Sequence, residues 1–533
     1  MKSLLNTTHW KSLTARRDEF MRDEDGSLIS FSLYIFMAMI MVGGIGVDMM
    51  LQENLRVHQQ NSTDRAVLAA ANLDQSVNPK IVVQDYLAKV GIDIELDDVT
   101  VTEVGIAPII TGRKVSINVQ NTHQTLLMNI MGVDELPYES NSEATEAIND
   151  IEISLVLDVS GSMGSNNKLT RLQTSATDFV EKVLDGEDGR VSMSLIPYST
   201  QVSLGEDLFD VMSTTSWHDA SHCIHFPGDS FDEVSIPANP MFQSAHFDAF
   251  KWWNSGDTVD DRRTPERPVC GTDSYYHIQP WTNNITDLTD QIDDFEADGN
   301  TSIDVAMKWG AALLDSSTRA SHAALIAAQA DRDSTFVERP YNYDRPDTLK
   351  FVILMTDGIN TKQYRQRSAY RTGDSNIWKH PTEDEYAVYM EDEAEFFFDN
   401  RDDDDEWQTA VPGDWVNLSW PQVWSQMTLS WRAYYLHYAQ DWDADDFWDA
   451  YNAPSYFRYQ STKNTYLDEI CTEAKKDDKM VIFTIGFEVT DTSAAIMESC
   501  ASTENHFYRV EGLDIETAFS SIANQINQLK LTQ

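Results

Sequence analysis

The sequence predicts an α/β fold built on a parallel β-sheet, and two apolar runs carry that prediction. Residues 151–158 and 351–357 are short runs rich in Ile, Leu and Val, and each stops at an aspartate. Such runs are typical of strands buried on both faces of a parallel sheet. Apolar residues at helical spacing in 169–183 precede a further strand at 190–198. This alternation of strand and helix calls for a Rossmann-like parallel sheet with right-handed crossovers.

Further strands of the same sheet are expected later in the chain, after long segments that do not show the alternation of strand and helix. We expect further strands at 480–486 and 506–510, with helices at 302–314 and 513–529. Two insertions, at about 213–292 and 360–464, would interrupt a domain that spans 151–533. The second insertion is rich in tryptophan, and most of these side chains are expected to fill the core of a separate subdomain rather than to bind partners or sugars.

The amino-terminal region contains one segment that could cross a membrane as a helix. Residues 28–47 carry no charged side chain, and roughly 20 apolar residues match the thickness of a bilayer core. Lysines and arginines are denser in 1–27 than just after the segment, which favours a cytoplasmic amino terminus and an external carboxyl-terminal part. A cleaved signal peptide is the competing interpretation, but the apolar part is long and lacks a clear A-x-A site.

Between the membrane segment and the sheet domain we expect a helical stalk and a small module. Residues 48–73 are rich in alanine, leucine, arginine and glutamine, which are good helix formers. Residues 74–150 are expected to form a small α+β module or spacer, with strands at 99–104 and 114–119. A further helix is expected at 125–131.

The composition argues against nucleic acid as a partner and indicates whether the cysteines form disulfides. The chain has 533 residues and a formal net charge of −48, so nucleic acid would be repelled. Its four cysteines lack a C-x-x-C pair, which argues against zinc. An even count outside a reducing compartment suggests two disulfides. We expect Cys223–Cys270 and Cys471–Cys500, with four buried thiols as the alternative.

Oxygen-bearing residues follow the two predicted strands and open one predicted helix. The first strand leads into Asp158-Val-Ser160-Gly-Ser162, the second ends at Asp357, and Thr301 follows a glycine and an asparagine before the helix at 302–314. Ligands collect at the carboxyl ends of parallel strands, and hard oxygen ligands suit Mg²⁺, Mn²⁺ or Ca²⁺. A capped strand-to-helix turn would explain the first motif alone, but the three pieces together favour a metal site.

These three pieces, in this order, resemble the von Willebrand factor A (vWA) domain, in which they form a metal-ion-dependent adhesion site (MIDAS). The resemblance implies a Mg²⁺ site, with Mn²⁺ or Ca²⁺ as alternatives, and one coordination position open to the carboxylate of a protein ligand or of an insertion of this chain. By that resemblance the metal ligands would be Asp158, Ser160, Ser162, Thr301 and Asp357.

A membrane helix that runs on into a polar, alanine-rich helix resembles the TadE/TadG group of the Tad/Flp pilus system. Counting from Gly26, the position of the prepilin glutamate is occupied by Phe31, so we expect a retained anchor. A TadG-like protein would sit in the bacterial inner membrane by a single pass, with its carboxyl-terminal domain periplasmic or at the cell surface. The resemblance implies a role in pilus assembly or adhesion, with pilus or secretion-apparatus components as partners.

Two other classes of function compete with a binding protein. A phosphotransferase of the haloacid-dehalogenase type also begins with a strand-end aspartate, but it needs a second aspartate where Ser160 stands. No G-x-S-x-G or H-E-x-x-H motif is present, so we expect no enzyme. The second alternative is a structural scaffold of the secretion apparatus, in which the metal only stabilises the loops.

Overall fold

The structure is a computed structural model of the chain. It describes residue 17 and residues 25–73, 77–106, 109–147, 150–186, 189–252, 258–329, 332, 334–345, 348–399 and 406–531. The chain divides near residue 148 into two compact units, each with its own hydrophobic core.

The first unit begins with one long helix that includes the predicted membrane segment. Its elements in chain order are α1 (Asp25–Ala71), α2 (Pro79–Lys89), β1 (Val99–Ile106), β2 (Ile109–Gln124) and β3 (Glu135–Ala147). Part of α1 is apolar and long enough to cross a bilayer, and almost none of that stretch is buried in the protein. Membrane anchors and signal sequences share this property.

The second half of α1 packs against an antiparallel sheet of β1, β2 and β3. Ala66, Val67 and Ala70 of the helix share a core with Val115 and Ile117 of β2. This part of the helix was expected to be a stalk separate from the module at 74–150, but helix and module share this core. The alanines allow the close approach because their side chains take up little space between helix and sheet.

A carboxylate of α1 organises the connection between β2 and β3. Asp48 accepts hydrogen bonds from the backbone N–H groups of Leu126 (2.9 Å), Leu127 (2.9 Å) and Met128 (2.7 Å). Where a helix was expected at 125–131, the structure has only a 3₁₀ turn at Met128–Met131. That expectation was wrong, because the segment's backbone donors bond to Asp48 instead of continuing a helix.

The strands of the second unit group into a central sheet and several smaller ones. In chain order they are β4 (Asp150–Asp158), β5 (Val191–Tyr198), β6 (Thr214–Thr215), β7 (Ile224–His225), β8 (Met241–Gln243), β9 (Gln279–Thr282), β10 (Thr348–Thr356), β11 (Gln363–Gln366), β12 (Asp374–Lys379), β13 (Tyr386–Met390), β14 (Glu395–Asp399), β15 (Glu406–Gln408), β16 (Val416–Ser419), β17 (Ser455–Arg458), β18 (Val481–Phe487) and β19 (Phe507–Val510).

The helices of this unit lie between the strands. In chain order they are α3 (Lys168–Leu184), α4 (Gly205–Val211), α5 (Val259–Arg263), α6 (Ile285–Asp293), α7 (Ile303–Ala312), α8 (Arg319–Ala328), α9 (Trp420–Gln426), α10 (Leu429–Ala433), α11 (Ala439–Asp441), α12 (Ala444–Asn452), α13 (Gln460–Lys475), α14 (Asp491–Cys500) and α15 (Asp514–Leu531). A π-helical turn, Tyr434–Tyr438, joins α10 to α11.

The central sheet has the order β19-β18-β10-β4-β5-β9. The first five strands are parallel, as the apolar runs predict, and β9 pairs antiparallel with β5 at one edge. The sequence had placed β9 inside the first insertion, 213–292. That boundary was wrong, because β9 is a strand of the central sheet. With four residues, one of them a proline, β9 is too short to show the alternation typical of a strand.

Both faces of the central sheet are buried, which explains the unbroken apolar runs. Val352 and Leu354 of β10 belong to one core, with α7 and α13. Phe351, Ile353 and Met355 belong to the other, with α3 and α15. The alternation of side chains along a strand thus divides β10 between two helical layers.

A third core joins the two segments that the sequence treated as separate insertions. It combines Phe247 and Val269 with side chains from β12–β14, α9 and α10. Three tryptophans of the second predicted insertion are buried in it, Trp420, Trp424 and Trp431. Trp407, Trp442 and Trp448 of the same insertion, and Trp252 of the first, are 39–63% exposed; Trp253 of the first insertion lies outside the described residues.

Both expected disulfides are present. Cys223 is joined to Cys270, with Cα atoms 5.9 Å apart, and Cys471 of α13 is joined to Cys500 of α14, with Cα atoms 5.1 Å apart. Each bridge closes a long stretch of chain, so it limits the conformational entropy of the unfolded state.

Candidate metal centre

Three loops meet at the carboxyl edge of the central sheet, beside β4 and β10. β4 ends at Asp158, and β10 ends at Thr356, directly before Asp357. From β4 the chain continues to β5 on one side, whereas β10 lies on the other side of β4. The strand order therefore reverses between β4 and β10, which is where ligands bind in open α/β sheets.

Three hydroxyl groups and one carboxylate form a continuous chain of contacts at this edge. Thr301 Oγ1 donates to Ser160 Oγ at 3.0 Å, and Ser160 Oγ lies 3.2 Å from Ser162 Oγ. Ser162 Oγ donates to Asp357 Oδ1 at 2.6 Å. The structure thus brings four of the five sequence-predicted residues into direct contact.

The fifth residue, Asp158, is fully buried next to these hydrogen-bonded side chains. Its carboxylate accepts the backbone N–H of Ser160 at 2.8 Å and the hydroxyl of Thr356 at 2.7 Å. Burial, followed by repulsion from the charge of Asp357, raises the pKa of Asp158 to about 7. The charge of Asp357 thus acts on Asp158 unfavourably at this buried edge, and a cation bound at the edge would relieve the repulsion.

The loop that carries Thr301 is fixed against the loop that carries Ser160. The N–H of Gly161 donates to the carbonyl of Gly299 at 3.0 Å, and Gly299 has φ +83°. A Cβ on Gly299 would lie 2.7 Å from Thr200 Oγ1, which instead accepts the N–H of Asn300 at 2.8 Å. Glycine is therefore required here for both the backbone angle and the space.

Lys463 fixes the loop that carries Thr301, which we call the threonine loop. The sequence did not predict this role of Lys463. Its Nζ donates to Thr301 O (2.9 Å), Ser302 Oγ (2.7 Å) and Thr361 O (3.0 Å), and it lies 3.6 Å from a carboxylate oxygen of Asp304. Burial, partly offset by Asp304, lowers the pKa of Lys463 to about 8. A lysine inside a polar helix carries no sequence signal of burial, because lysines there are usually solvated.

Lys168 contacts the site from the start of α3. Its Nζ donates to Asp357 Oδ2 at 3.0 Å and lies 3.8 Å from Glu488. One oxygen of Asp357 thus faces Lys168 and the other faces Ser162. The lysine offsets part of the negative charge of the site, a feature that the motif alone did not reveal.

The donor set fits a hard divalent cation such as Mg²⁺. Its groups are two carboxylates and three hydroxyls, and the oxygen–oxygen distances from Thr301 through the two serines to Asp357 are 2.6–3.2 Å. Oxygens that share an octahedron around Mg²⁺ are about 2.9 Å apart, given bond lengths of about 2.0–2.1 Å. Among the residues that the structure describes, no group of three or more His, Cys, Asp or Glu side chains is arranged to hold a metal, so the hydroxyls are essential to any site here.

Fold and site together define a mixed α/β protein with a parallel sheet, an acidic and hydroxyl-rich edge and a long apolar amino-terminal helix. Residues 26–73 match the family model for Flp pilus-assembly TadE/G-like proteins. This amino-terminal segment is therefore of the TadE/TadG type, as its sequence predicts. No curated protein matches the chain.

Several solved structures of pilus proteins are similar to the chain at low scores. The vWF domain of the type V pili tip protein Mfa5 from Porphyromonas gingivalis is 13% identical, with coverage of 73% of this chain and 98% of that one and a TM-score of 0.32. The PilB minor pilin from Streptococcus sanguinis is 12% identical, with coverage of 82% and 78% and a TM-score of 0.30. The pilus adhesin SpaC from Lactobacillus rhamnosus GG is 12% identical, and the match covers 80% of this chain but 33% of SpaC, with a TM-score of 0.29. The matched family and these structures are pilus-assembly and pilus proteins, not enzymes.

Proposed function

We propose that this chain is a membrane-anchored, TadG-like protein of a Tad/Flp-type pilus system that binds an acidic protein ligand through a bound Mg²⁺. In this proposal the domain from residue 151 onward is of the vWA type and its metal site is a MIDAS. Asp158, Ser160, Ser162 and Thr301 hold the cation directly or through water, and Asp357 acts directly or through Ser162.

The observation that carries the proposal is the meeting of these residues at the strand-order reversal. Ser162 and Asp357 touch although 195 residues separate them. A buried aspartate beside a second carboxylate is costly without a compensating cation. The divalent cation supplies positive charge and Lewis acidity at this edge, while the protein holds the ligands in place through Gly299 and Lys463.

A cation held by this donor set favours a carboxylate as the group that a partner supplies. Three of the five candidate groups are neutral hydroxyls, and Lys168 offsets the charge of Asp357. A divalent cation held this way keeps net positive charge, which favours an anionic oxygen at its open position. Ser162 is exposed whereas Asp158 is buried, so the site opens to solvent on the side of Ser162, where a partner can approach.

The remaining parts of the chain fit the same role. The apolar stretch of α1 would be a retained inner-membrane anchor, with the amino terminus in the cytoplasm and the vWA-type domain periplasmic or at the cell surface. The two insertions, predicted at about 213–292 and 360–464, would interrupt this domain, and the first would be shortened so that it ends before β9. Pilus or secretion-apparatus components that offer an exposed carboxylate are the proposed partners.

Calorimetric titration of Mg²⁺ into the full chain in detergent tests the site. We expect saturable binding by the wild type and loss of that binding in Asp158→Asn. The matched control is Asp178→Asn, which removes the same charge from an exposed position on α3. Unchanged uptake by Asp158→Asn, or equal loss in both variants, would reject the site.

A pull-down from the membrane and periplasmic fractions, with Mg²⁺ or with EDTA, separates adhesion from scaffolding. A partner captured only with Mg²⁺, and not by Asp158→Asn, supports the binding function. Magnesium that raises the melting temperature but captures no partner favours the scaffold instead. Turnover of a generic phosphate ester that Asp158→Asn abolishes would favour an enzyme of the haloacid-dehalogenase type instead.

A further inference from the structure

A cleft of about 360 Å³ lies in the aromatic-rich part of the second unit. We call it the aromatic cleft and define it by its ring-bearing residues, Trp252, Tyr434, Tyr438, Phe447 and Trp448. None of these residues belongs to the candidate metal centre. The cleft joins the segment before α5 to the π-helical turn and to α12, so three separate parts of the chain build it.

The rings of the cleft pack against one another, and two of them remain exposed to solvent. Trp252 and Trp448 stack with centroids 5.7 Å apart and planes 18° apart. Phe447 makes T-shaped contacts with both, with ring centroids 5.9 Å and 5.1 Å away. Yet Trp252 and Trp448 remain 47% and 48% exposed, whereas Trp424 of the neighbouring core is 1% exposed. Adjacent exposed tryptophans of this kind mark a recognition surface more often than a packing defect.

The backbone under the cleft has an uncommon geometry. Tyr434 and Tyr438 are the first and last residues of the π-helical turn, and their rings lie 5.1 Å apart. Trp442, which ends the following helical turn, has φ +63°. π-Helical turns are rare because they are less stable than α-helix, and they occur frequently at functional sites. Here the turn presents two phenol rings to the same cleft.

Negative charge is concentrated beside these rings. Five aspartates lie within the nine residues 441–449, which overlap the first part of α12, namely Asp441, Asp443, Asp445, Asp446 and Asp449. Partial desolvation and the charges of the other four raise the pKa of Asp446, which shows that these carboxylates act on one another. The crowding is unfavourable for the free protein and favours a cationic partner.

The neighbouring basic groups do not cancel this charge. Lys251 is paired with Glu266 at 2.6 Å, and Arg432 is buried and donates to the carbonyl of Ala450 at 3.0 Å. Arg262 acts electrostatically on Tyr434, where it opposes the rise in the pKa of that phenol. The five aspartates therefore outnumber the nearby cations, and the surface beside the rings stays negative.

We propose that the aromatic cleft binds a basic side chain, lysine or arginine, on a cationic segment of a protein partner. The cationic group lies over the faces of Trp252 and Trp448, which attract it through their quadrupoles, and the aspartates of α12 attract the rest of the segment. Five carboxylates spread over nine residues offer more charge than a single small cation can use, which favours a segment with several basic residues. The Ser430 hydroxyl that lines the cleft already donates to Lys251 O at 3.0 Å, so this group is engaged within the protein and does not itself favour a sugar.

Binding of a fluorescent Gly-Lys-Gly-Lys-Gly peptide to the full chain tests the proposal. The protein is kept in an uncharged polyoxyethylene detergent at low salt, and the peptide's polarisation is measured. We expect saturable binding that weakens with salt, persists in EDTA, and falls about tenfold in Trp448→Ala. Trp448→Phe should keep part of the affinity, because it keeps a ring. The matched control is Trp407→Ala, which removes a tryptophan that is 39% exposed and lies outside the cleft.

Each alternative has a distinct signature in the same assay. Equal binding of a peptide with norleucine in place of lysine would make the cleft an apolar groove and overturn the proposal. Competition by an N-acetylglucosamine oligosaccharide, lost in Trp448→Ala, would make it a sugar site. Absence of saturable binding, or equal loss in Trp448→Ala and Trp407→Ala, would also overturn it.

Discussion

The hydroxyl of Ser162 donates a hydrogen bond of 2.6 Å to the carboxylate of Asp357, across 195 residues of sequence. The other oxygen of Asp357 accepts from Lys168 at 3.0 Å. Both oxygens of Asp357 are thus engaged, one by Ser162 and the other by Lys168. Asp158 instead accepts from the backbone N–H of Ser160 and the hydroxyl of Thr356, which are uncharged, so the two aspartates are expected to respond differently to pH and to substitution.

The first prediction concerns pH in the absence of divalent cations. The pKa of Asp158 is raised from 3.8 to about 7, so between these values the folded chain holds a proton that the unfolded chain has released. Stability contributed by this group is therefore lost as pH rises from about 4 to 7. Asp158→Asn should remove this dependence, so its free energy of unfolding should fall less than that of the wild type over that range.

Urea unfolding in EDTA at several pH values measures the difference between the two proteins. Asp178→Asn serves as the charge-matched control and should follow the wild type. Addition of saturating Mg²⁺ should stabilise the wild type most at the upper end of the range, because binding requires the ionised carboxylate. Parallel pH profiles for wild type and Asp158→Asn would contradict the assigned burial and repulsion.

The second prediction concerns Lys463, which is fully buried 3.6 Å from Asp304. Lys463→Met should lower the free energy of unfolding by about 3–5 kcal/mol, because it removes the ion-pair partner of the buried Asp304. Adding Asp304→Leu should recover part of this loss. The double variant should still bind Mg²⁺ more weakly than the wild type, because Thr301 O and Thr361 O have lost their shared donor.

The control for this pair is Lys476→Met, which removes an exposed lysine just after α13 that pairs with its near neighbour Glu473. Chemical unfolding and Mg²⁺ titration should give wild-type values for it, since exposed pairs contribute little. Full Mg²⁺ affinity in the double variant would show that Lys463 stabilises the fold without positioning the threonine loop.

The third prediction concerns the charge of Lys168. Its ammonium group contacts Asp357, so it repels a divalent cation at the same edge. Lys168→Met should raise Mg²⁺ affinity by about tenfold, or about 1.4 kcal/mol. Lys182→Met on the outer side of the same helix should leave the affinity unchanged. Weaker binding by Lys168→Met would mean that the lysine is needed to orient Asp357.

The fourth prediction concerns the disulfides. Cys471–Cys500 closes a sequence separation of 29 residues, for which chain entropy predicts a loss of about 3–4 kcal/mol when both cysteines become alanine. Removal of Cys223–Cys270, with a separation of 47 residues, should cost a similar amount. Guanidinium unfolding of each double variant measures both losses, and a loss below 1 kcal/mol in either would show that packing alone holds that region.

The sequence was most informative where burial is complete. β4 and β10 are buried on both faces, so their apolar residues are continuous and end visibly at Asp158 and Asp357. β3 was missed because it is polar: Ser140 and Ser142 face α1 and contact Gln59, Gln60 and Thr63 through hydrogen bonds. A strand that packs through hydroxyls and amides shows no hydrophobic period.

The candidate ligands could be named from sequence because each sits at a strand end or a helix start. Lys168 and Lys463 could not, because their roles depend on which helix the fold places beside each loop. The shared core of the two predicted insertions was equally hidden. Phe247 and Trp424 lie far apart in sequence, and no local pattern indicates that they pack in one core.

The most direct test of the central claim is an anomalous difference map from crystals of the protein soaked in Mn²⁺, which stands in for Mg²⁺. The account predicts a strong peak at the carboxyl edge of β4 and β10, bonded at about 2.2 Å to hydroxyl oxygens of Ser160, Ser162 or Thr301. That peak should be absent from crystals of Asp158→Asn. A wild-type map with no peak at this edge, while manganese binds elsewhere on the protein, would contradict the metal site and the adhesion function proposed from it.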